Sequence, residues 1–254
     1  MVKTEVFMRL NNRIGLVGSG TGLGFGLTHS LDCHVYILDG KTELALIDAG
    51  VGIEPDRIID IIYSDGYDLN KIKYLLLTHG HADHAGGAFY FKERLGCQVI
   101  APVNEAKFIQ NGDTQSIGLE IAKKAGYYPQ DYDFKACVVD RAVADGEEIM
   151  VGDIKIKVIE TPGHSIGGAT YLAELEAGLA AFTGDLIAHG GKISLQNIPG
   201  VSIQAYAKSV QKLEGLGIEM FLPGHLSFSM REGQQHIDKA ADAFRRLGVP
   251  QSII

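Results

Sequence analysis

The chain of 254 residues carries 31 Asp and Glu against 23 Lys and Arg, a formal net charge of −8 at pH 7. That balance speaks against a nucleic-acid partner, because a phosphate backbone calls for basic surface. At 46% hydrophobic and 21% charged residues the composition is that of an ordinary globular protein, long enough for a substantial core.

Three cysteines, Cys33, Cys97 and Cys137, are too few and too odd for a disulfide framework and read as buried free thiols. Met1 to Glu5 lacks the basic stretch and apolar core of a signal peptide. No apolar run is long enough to span a bilayer. The expectation is a cytoplasmic protein with no membrane partner.

In chain order, Val6 to Leu10 and Ile14 to Val17 read as strands joined through Asn11-Asn12, a hairpin turn. A glycine-rich loop follows from Gly18 to Gly26. No Gly-Lys-Ser/Thr closes it and no dinucleotide unit follows, so a phosphate cradle is not indicated. It reads instead as a flap that carries Leu23 and Phe25 over a pocket mouth. Cys33 to Leu38 and Leu44 to Ile47 form a second pair, ending in Asp48-Ala49-Gly50. Pro55 opens a helix through Ile58, Ile61 and Ile62.

Ile72 to Leu77 is a short apolar run that reads as a buried strand. It leads into Thr78-His79-Gly80-His81-Ala82-Asp83-His84-Ala85-Gly86-Gly87. Downstream, Ala85, Ala88, Phe91 and Leu95 recur at helical spacing, with Gly96 as a stop. Three histidines and an aspartate therefore crowd the junction of a strand and a helix. Without a cation, such a cluster would suffer repulsion and desolvation. Imidazole nitrogen and carboxylate oxygen together suit zinc and similar first-row metals.

Gln98 to Ala101 is a further strand. The stretch from about 104 to 135 carries helical patches and the aromatics Tyr127, Tyr128, Tyr132 and Phe134, most of which read as packing residues. Gly146 to Thr161 is a strand pair turning at Gly152-Asp153 and ending in Thr161-Pro162-Gly163-His164. Ala169 to Leu172 and Leu179 to Phe182 form another pair, ending in Thr183-Gly184-Asp185. His189, in the loop that follows, is a candidate substrate contact or a solvated loop histidine. Ser202 caps a helix in which Tyr206 reads as core. Met220 to Leu222 is a buried strand ending in Pro223-Gly224-His225, and a last helix runs from about Glu232 to Leu247.

The motif resembles the H-x-H-x-D-H signature of the metallo-β-lactamase superfamily, and the later His164, Asp185 and His225 follow in that family's order at strand ends. The resemblance covers essentially the whole chain. It implies an α+β fold, a four-layer αββα sandwich of two similar β-α halves. Residues 1–254 would then form one domain, with a pocket-shaping insertion at about 104–135. It also implies two divalent metal ions, zinc first, with manganese or iron as alternatives. His79, His81 and His164 would bind one metal, Asp83, His84 and His225 the other, and Asp185 would bridge them. Asp48 stands where the family often carries an aspartate that supports the ligands; a plain turn aspartate is the alternative.

Two metals a few ångströms apart can share one water and lower its pKa toward about 7, while polarising the substrate oxygen. Asp83 would then deliver a proton to the leaving group as the catalytic acid-base residue. The function implied is metal-dependent hydrolysis of a lactone or other small ester-type bond in a small-molecule substrate. Quorum-signal lactonases keep this ligand set and length. Thioester or phosphodiester hydrolysis is the nearest alternative. Asp185 counts against a β-lactam. The short chain after His225 counts against the glutathione thioester of glyoxalase II, and the acidic balance against RNA. A mononuclear non-haem iron oxidoreductase of the persulfide dioxygenase type, or a non-catalytic metabolite-binding relative, is the alternative from another class. The oligomeric state is open, a homodimer being one candidate.

Overall fold

Side chains that alternate along each strand decide the layering. The computed structural model describes residues 8–254. In β2 (Val35–Asp39), Tyr36 and Leu38 join one apolar cluster while Val35 and Ile37 join another, and all four are buried. A strand apolar on both faces has to be covered on both faces.

One sheet runs in sequence order: β1 (Ile14–Gly18), β2, β3 (Leu44–Ile47), β4 (Ile72–Leu76), β5 (Gln98–Pro102) and β6 (Arg141–Val143). Its first three strands pair antiparallel and the rest parallel. The second sheet holds β7 (Glu148–Val151), β8 (Ile154–Glu160), β9 (Ala169–Leu175), β10 (Gly178–Gly184) and β11 (Ile218–Pro223). It is an antiparallel meander, except that β11 returns parallel to β10.

Parallel neighbours need crossovers, and these supply the helices. They are α1 (Pro55–Ser64), α2 (Ala82–Ala85), α3 (Ala88–Leu95), α4 (Val103–Asn111), α5 (Leu119–Lys124) and α6 (Ile203–Leu213), followed by the last helix, α7 (Gln234–Arg245). Three apolar cores then stack. Tyr36, Ile47, Leu76, Val158, Tyr171 and Phe182 fill the space between the sheets. Ile58, Ile62 and Phe91 cover the outer face of the first sheet, and Tyr206, Val210, Ile237 and Phe244 that of the second. The result is the expected αββα sandwich.

Local departures from the sequence reading have physical reasons. The partner expected for β1 on its N-terminal side is reduced to an isolated bridge between Arg9 and Gly15; Val6 and Phe7 lie outside the described residues. The motif helix breaks into α2 and α3 at Gly86-Gly87. There a side-chain carbon would fall 2.3 Å from the Val51 carbonyl oxygen and 2.1 Å from that of Ala49. The strand β6, with only Val143 buried, carries too little apolar signal to be read in advance. Among the described residues no helix is long and apolar enough to cross a membrane.

The two sheets share the candidate chemistry. Asp48 follows β3, and the motif follows β4, both in the first sheet. His164, Asp185 and His225 follow β8, β10 and β11 in the second.

Candidate metal centre

The seven residues proposed from the sequence converge on one spot. His79 Nε2 lies 3.0 Å from His81 Nδ1, which lies 2.9 Å from His164 Nε2. Beside this trio, His225 Nε2 is 3.0 Å and His84 Nε2 is 3.6 Å from Asp83 Oδ2. Asp185 sits between the two groups. Its Oδ1 is 3.2 Å from His84 Nε2, and its Oδ2 is 3.4 Å from both His164 Nε2 and His225 Nε2.

The far nitrogens explain why these lone pairs converge. The Asp48 carboxylate accepts from the Thr78 amide at 2.7 Å, the Thr78 hydroxyl at 2.9 Å and His84 Nδ1 at 2.9 Å. Having given its proton to Asp48, the Thr78 oxygen is left to accept from His79 Nδ1 at 3.0 Å. His164 Nδ1 donates to the Ser194 carbonyl at 3.3 Å. On His79, His84 and His164 the proton is thus drawn to Nδ1, and Nε2 keeps its lone pair for the site. Asp48 holds this role from a left-handed backbone, φ 63°. Aspartate tolerates that region better than most residues.

Electrostatics sort the two groups. Burial, reinforced by the neighbouring histidines, pushes His79 well below the usual imidazole range and His81 down to about 3. Burial also lowers His164, so the trio is neutral. Burial opposes charge on His84 and His225 as well, but Cys33 and the carboxylates of Asp185, Asp83 and Asp48 outweigh it at His84, and those of Asp185 and Asp83 at His225, so both are raised. Asp185 goes the other way: burial disfavours its charge, and His225, His84 and His164 overcome this and hold it well below the carboxylate range.

This donor set fits divalent cations. His84 Nε2 and Asp185 Oδ1 are buried polar atoms with no hydrogen-bond partner, although they face each other. Imidazole and carboxylate donors with ordered outer nitrogens are what zinc-type ions take. The triplets His79–His81–His164, His79–His84–Asp185 and Asp83–His84–His225 each bring donor atoms within 4.8 Å of one another. Glycine is required beside them. A side-chain carbon at Gly224 would fall 2.4 Å from Asp185 Oδ1 and 2.5 Å from His84 Cε1.

A cavity of about 710 Å³ opens onto His81, Asp83, His164, Asp185 and His225. Gly22 and Leu23 of the glycine-rich loop line it, whereas Phe25 is turned away to stack on His34 at 5.2 Å. Tyr127 and Tyr128 also line it, and the Tyr128 hydroxyl donates to Asp83 Oδ1 at 3.0 Å. Tyr132 instead donates to the Val51 carbonyl, and Tyr206, fully buried, to that of Ser194. His189 does not line the cavity. The turn at Ala188–Lys192 carries its exposed ring outward, 4.3 Å from that of His236 on α7. Its closeness to Asp185 in sequence is therefore not closeness to the site.

Sequence reasoning missed Glu105 of α4. Its buried carboxylate accepts from the Gly80 amide at 3.2 Å and the Gly167 amide at 2.8 Å, tying the His79–His81 turn to the His164 loop.

Comparison with known proteins agrees with this picture. The family model of the metallo-beta-lactamase superfamily matches residues 30–225. The hydroxyacylglutathione hydrolase GloC of Haemophilus influenzae is 30% identical over 196 residues, 76% of this chain and 84% of its own length. A hydroxyacylglutathione hydrolase of Rhizobium etli is 34% identical over 101 residues, 40% of this chain but only 29% of that protein. Among solved structures, a metallo-beta-lactamase with a HARLDQ motif from Cronobacter sakazakii has a TM-score of 0.72 at 21% identity, covering 94% of this chain and 96% of that one. FEZ-1 of Legionella gormanii has a TM-score of 0.70 at 20% identity, covering 94% of each chain. At such identities the structures speak for the fold alone.

Proposed function

The chain belongs to the metallo-β-lactamase superfamily, and from that premise we propose that it is a metal-dependent hydrolase with a two-cation site that cleaves a lactone or other small ester-type bond. Asp185 carries this reading. One carboxylate within 3.2–3.4 Å of His84, His164 and His225 suits a ligand shared by two ions. His79, His81 and His164 would hold one cation and Asp83, His84 and His225 the other, zinc being the first choice. The relatives named as hydroxyacylglutathione hydrolases support hydrolysis and make a thioester the nearest alternative bond.

Cations bound there lower the pKa of water and polarise the scissile carbonyl. The chain's own part is orientation and proton handling. Asp83, lining the cavity and held on one oxygen by Tyr128, would take a proton from the attacking water and pass it to the leaving group. Asp48 and Thr78 keep the imidazole lone pairs aimed inward.

The test is elemental analysis of the purified protein, with hydrolysis of lactone, ester, thioester and phosphodiester substrates before and after chelation. About two equivalents of zinc or manganese and a chelator-sensitive activity are expected for a two-metal hydrolase. A single equivalent of iron with oxygen-dependent turnover and no hydrolysis would overturn the reading.

A further inference from the structure

Beyond the candidate ligands the cavity continues as a largely apolar trough, with Ser30, Gln196 and Asn197 among its polar members. Its lining includes Ile117, Ile121 and Ala122, on α5 and its lead-in, Leu195 and Ile198 of the loop after β10, and Leu23 of the glycine-rich loop. The lead-in comes close to that loop at Gly118, where a side-chain carbon would lie 3.1 Å from Ile198 Cβ and where φ is +73°. Ile121 is 45% exposed and Leu23 37%, so apolar surface is presented to the cavity instead of being packed away. The volume of about 710 Å³ lies within the range of small-molecule sites.

Among the described residues, the one charged side chain lining the trough away from the candidate ligands is Asp32. No Lys or Arg is found among the described lining residues. Lys123 and Lys124, on the same helix as Ile121, lie outside the lining. A carboxylate carried into the trough would lose its hydration and find no cationic side chain to replace it. An uncharged hydrocarbon chain would lose nothing of the kind and would bury its own surface.

We propose that this trough holds the uncharged acyl tail of the substrate. The natural ester, lactone or thioester would then be one with a medium-to-long alkyl chain, in preference to a polyanionic conjugate such as a glutathione thioester. This rests on the hydrolase reading above. The carbonyl lies at the cluster of histidines and aspartates, and the tail runs between α5 and the 195–198 loop.

The experiment is a series of p-nitrophenyl esters from two to twelve acyl carbons, kept below their micelle thresholds, beside a glutathione thioester and calorimetric binding of dodecanamide, which is not readily hydrolysed. In the metal-loaded protein kcat/KM should rise about four-fold for each methylene that enters the trough, then level off. Ile121→Asp, and Ile198→Asp on the loop after β10, should each flatten that slope and weaken dodecanamide binding. The slope is internal to each variant, so a general loss of activity does not imitate the effect. Ester hydrolysis without chain-length dependence, or a preference for the glutathione thioester, would overturn the trough and leave the hydrolase standing. Dodecanamide binding that both variants weaken, with no hydrolysis of any ester or thioester, would keep the trough and overturn the hydrolase.

Discussion

Tyr128 and Asp83 are joined by a 3.0 Å hydrogen bond from the phenol to Oδ1, while the other oxygen of the carboxylate faces His225 at 3.0 Å. The phenol fixes the rotation of a carboxylate for which we propose two tasks, ligation and proton transfer. Tyr128→Phe removes the donor and little else. Its kcat/KM should fall about 10- to 100-fold, the usual range for a lost partner behind a metal ligand, with cation content unchanged. Steady-state kinetics beside elemental analysis would decide it, and an unchanged rate would deny Tyr128 this role.

Asp48 can be tested without disturbing its backbone. Asn also tolerates the left-handed region, so Asp48→Asn keeps the turn but supplies an amide where His84 Nδ1 and the Thr78 hydroxyl need an acceptor. Cation affinity, measured by competition with a chromophoric chelator, should weaken about 10- to 100-fold. Equal affinity in the two proteins would make Asp48 a turn residue only.

Glu105→Gln addresses the tie between the two ligand-bearing loops. One carboxamide cannot accept from both the Gly80 and Gly167 amides as a carboxylate does, because one of its two arms is a donor. Leaving a buried amide unpaired should cost about 1–3 kcal/mol, read as a lower denaturation midpoint. A midpoint equal to that of the parent chain would show the tie to be dispensable.

His34 gives a pH dependence of known sign. It is buried, its Nε2 donates to the Leu226 carbonyl at 2.6 Å, and burial pushes its pKa down from 6.5 to about 4. Between these values the unfolded chain binds the proton and the folded chain does not. This contribution to stability is therefore complete above about 6.5 and is lost as pH falls toward about 4. His34→Gln retains a donor for Leu226 and does not titrate. The advantage of His34 in melting temperature should shrink across that window, and a pH-independent difference would refute the assignment.

How far the sequence could be read depends on where the information lies. The motif was legible because His79, His81, Asp83 and His84 sit within six positions at a strand end. His164, Asp185 and His225, each a weak signal alone at a strand end, were legible through the ligand order that the family resemblance implies. Tyr128 and Glu105 were not, because their partners lie 45 and 62 positions away and nothing local distinguishes them from a loop aromatic or a solvated helix carboxylate. His189 is the opposite case, its position matching the solvated-loop alternative and not the substrate contact. It stands four residues after Asp185, yet the intervening turn swings it toward α7.

The loops that carry the proposed ligands hang from two different sheets, and a metal centre there would be the rivet between them. Ions that bind only the folded chain add to its stability by linkage, about 2.7 kcal/mol at a hundred-fold excess over Kd. With His79, His81, Asp83 and His84 from one half and His164, Asp185 and His225 from the other, that gain cannot accrue to either half alone. If ions bind at the proposed centre, stripping them should lower amide-exchange protection in β4 and β10 together, and the proposed cofactor would also be a fastener of the fold.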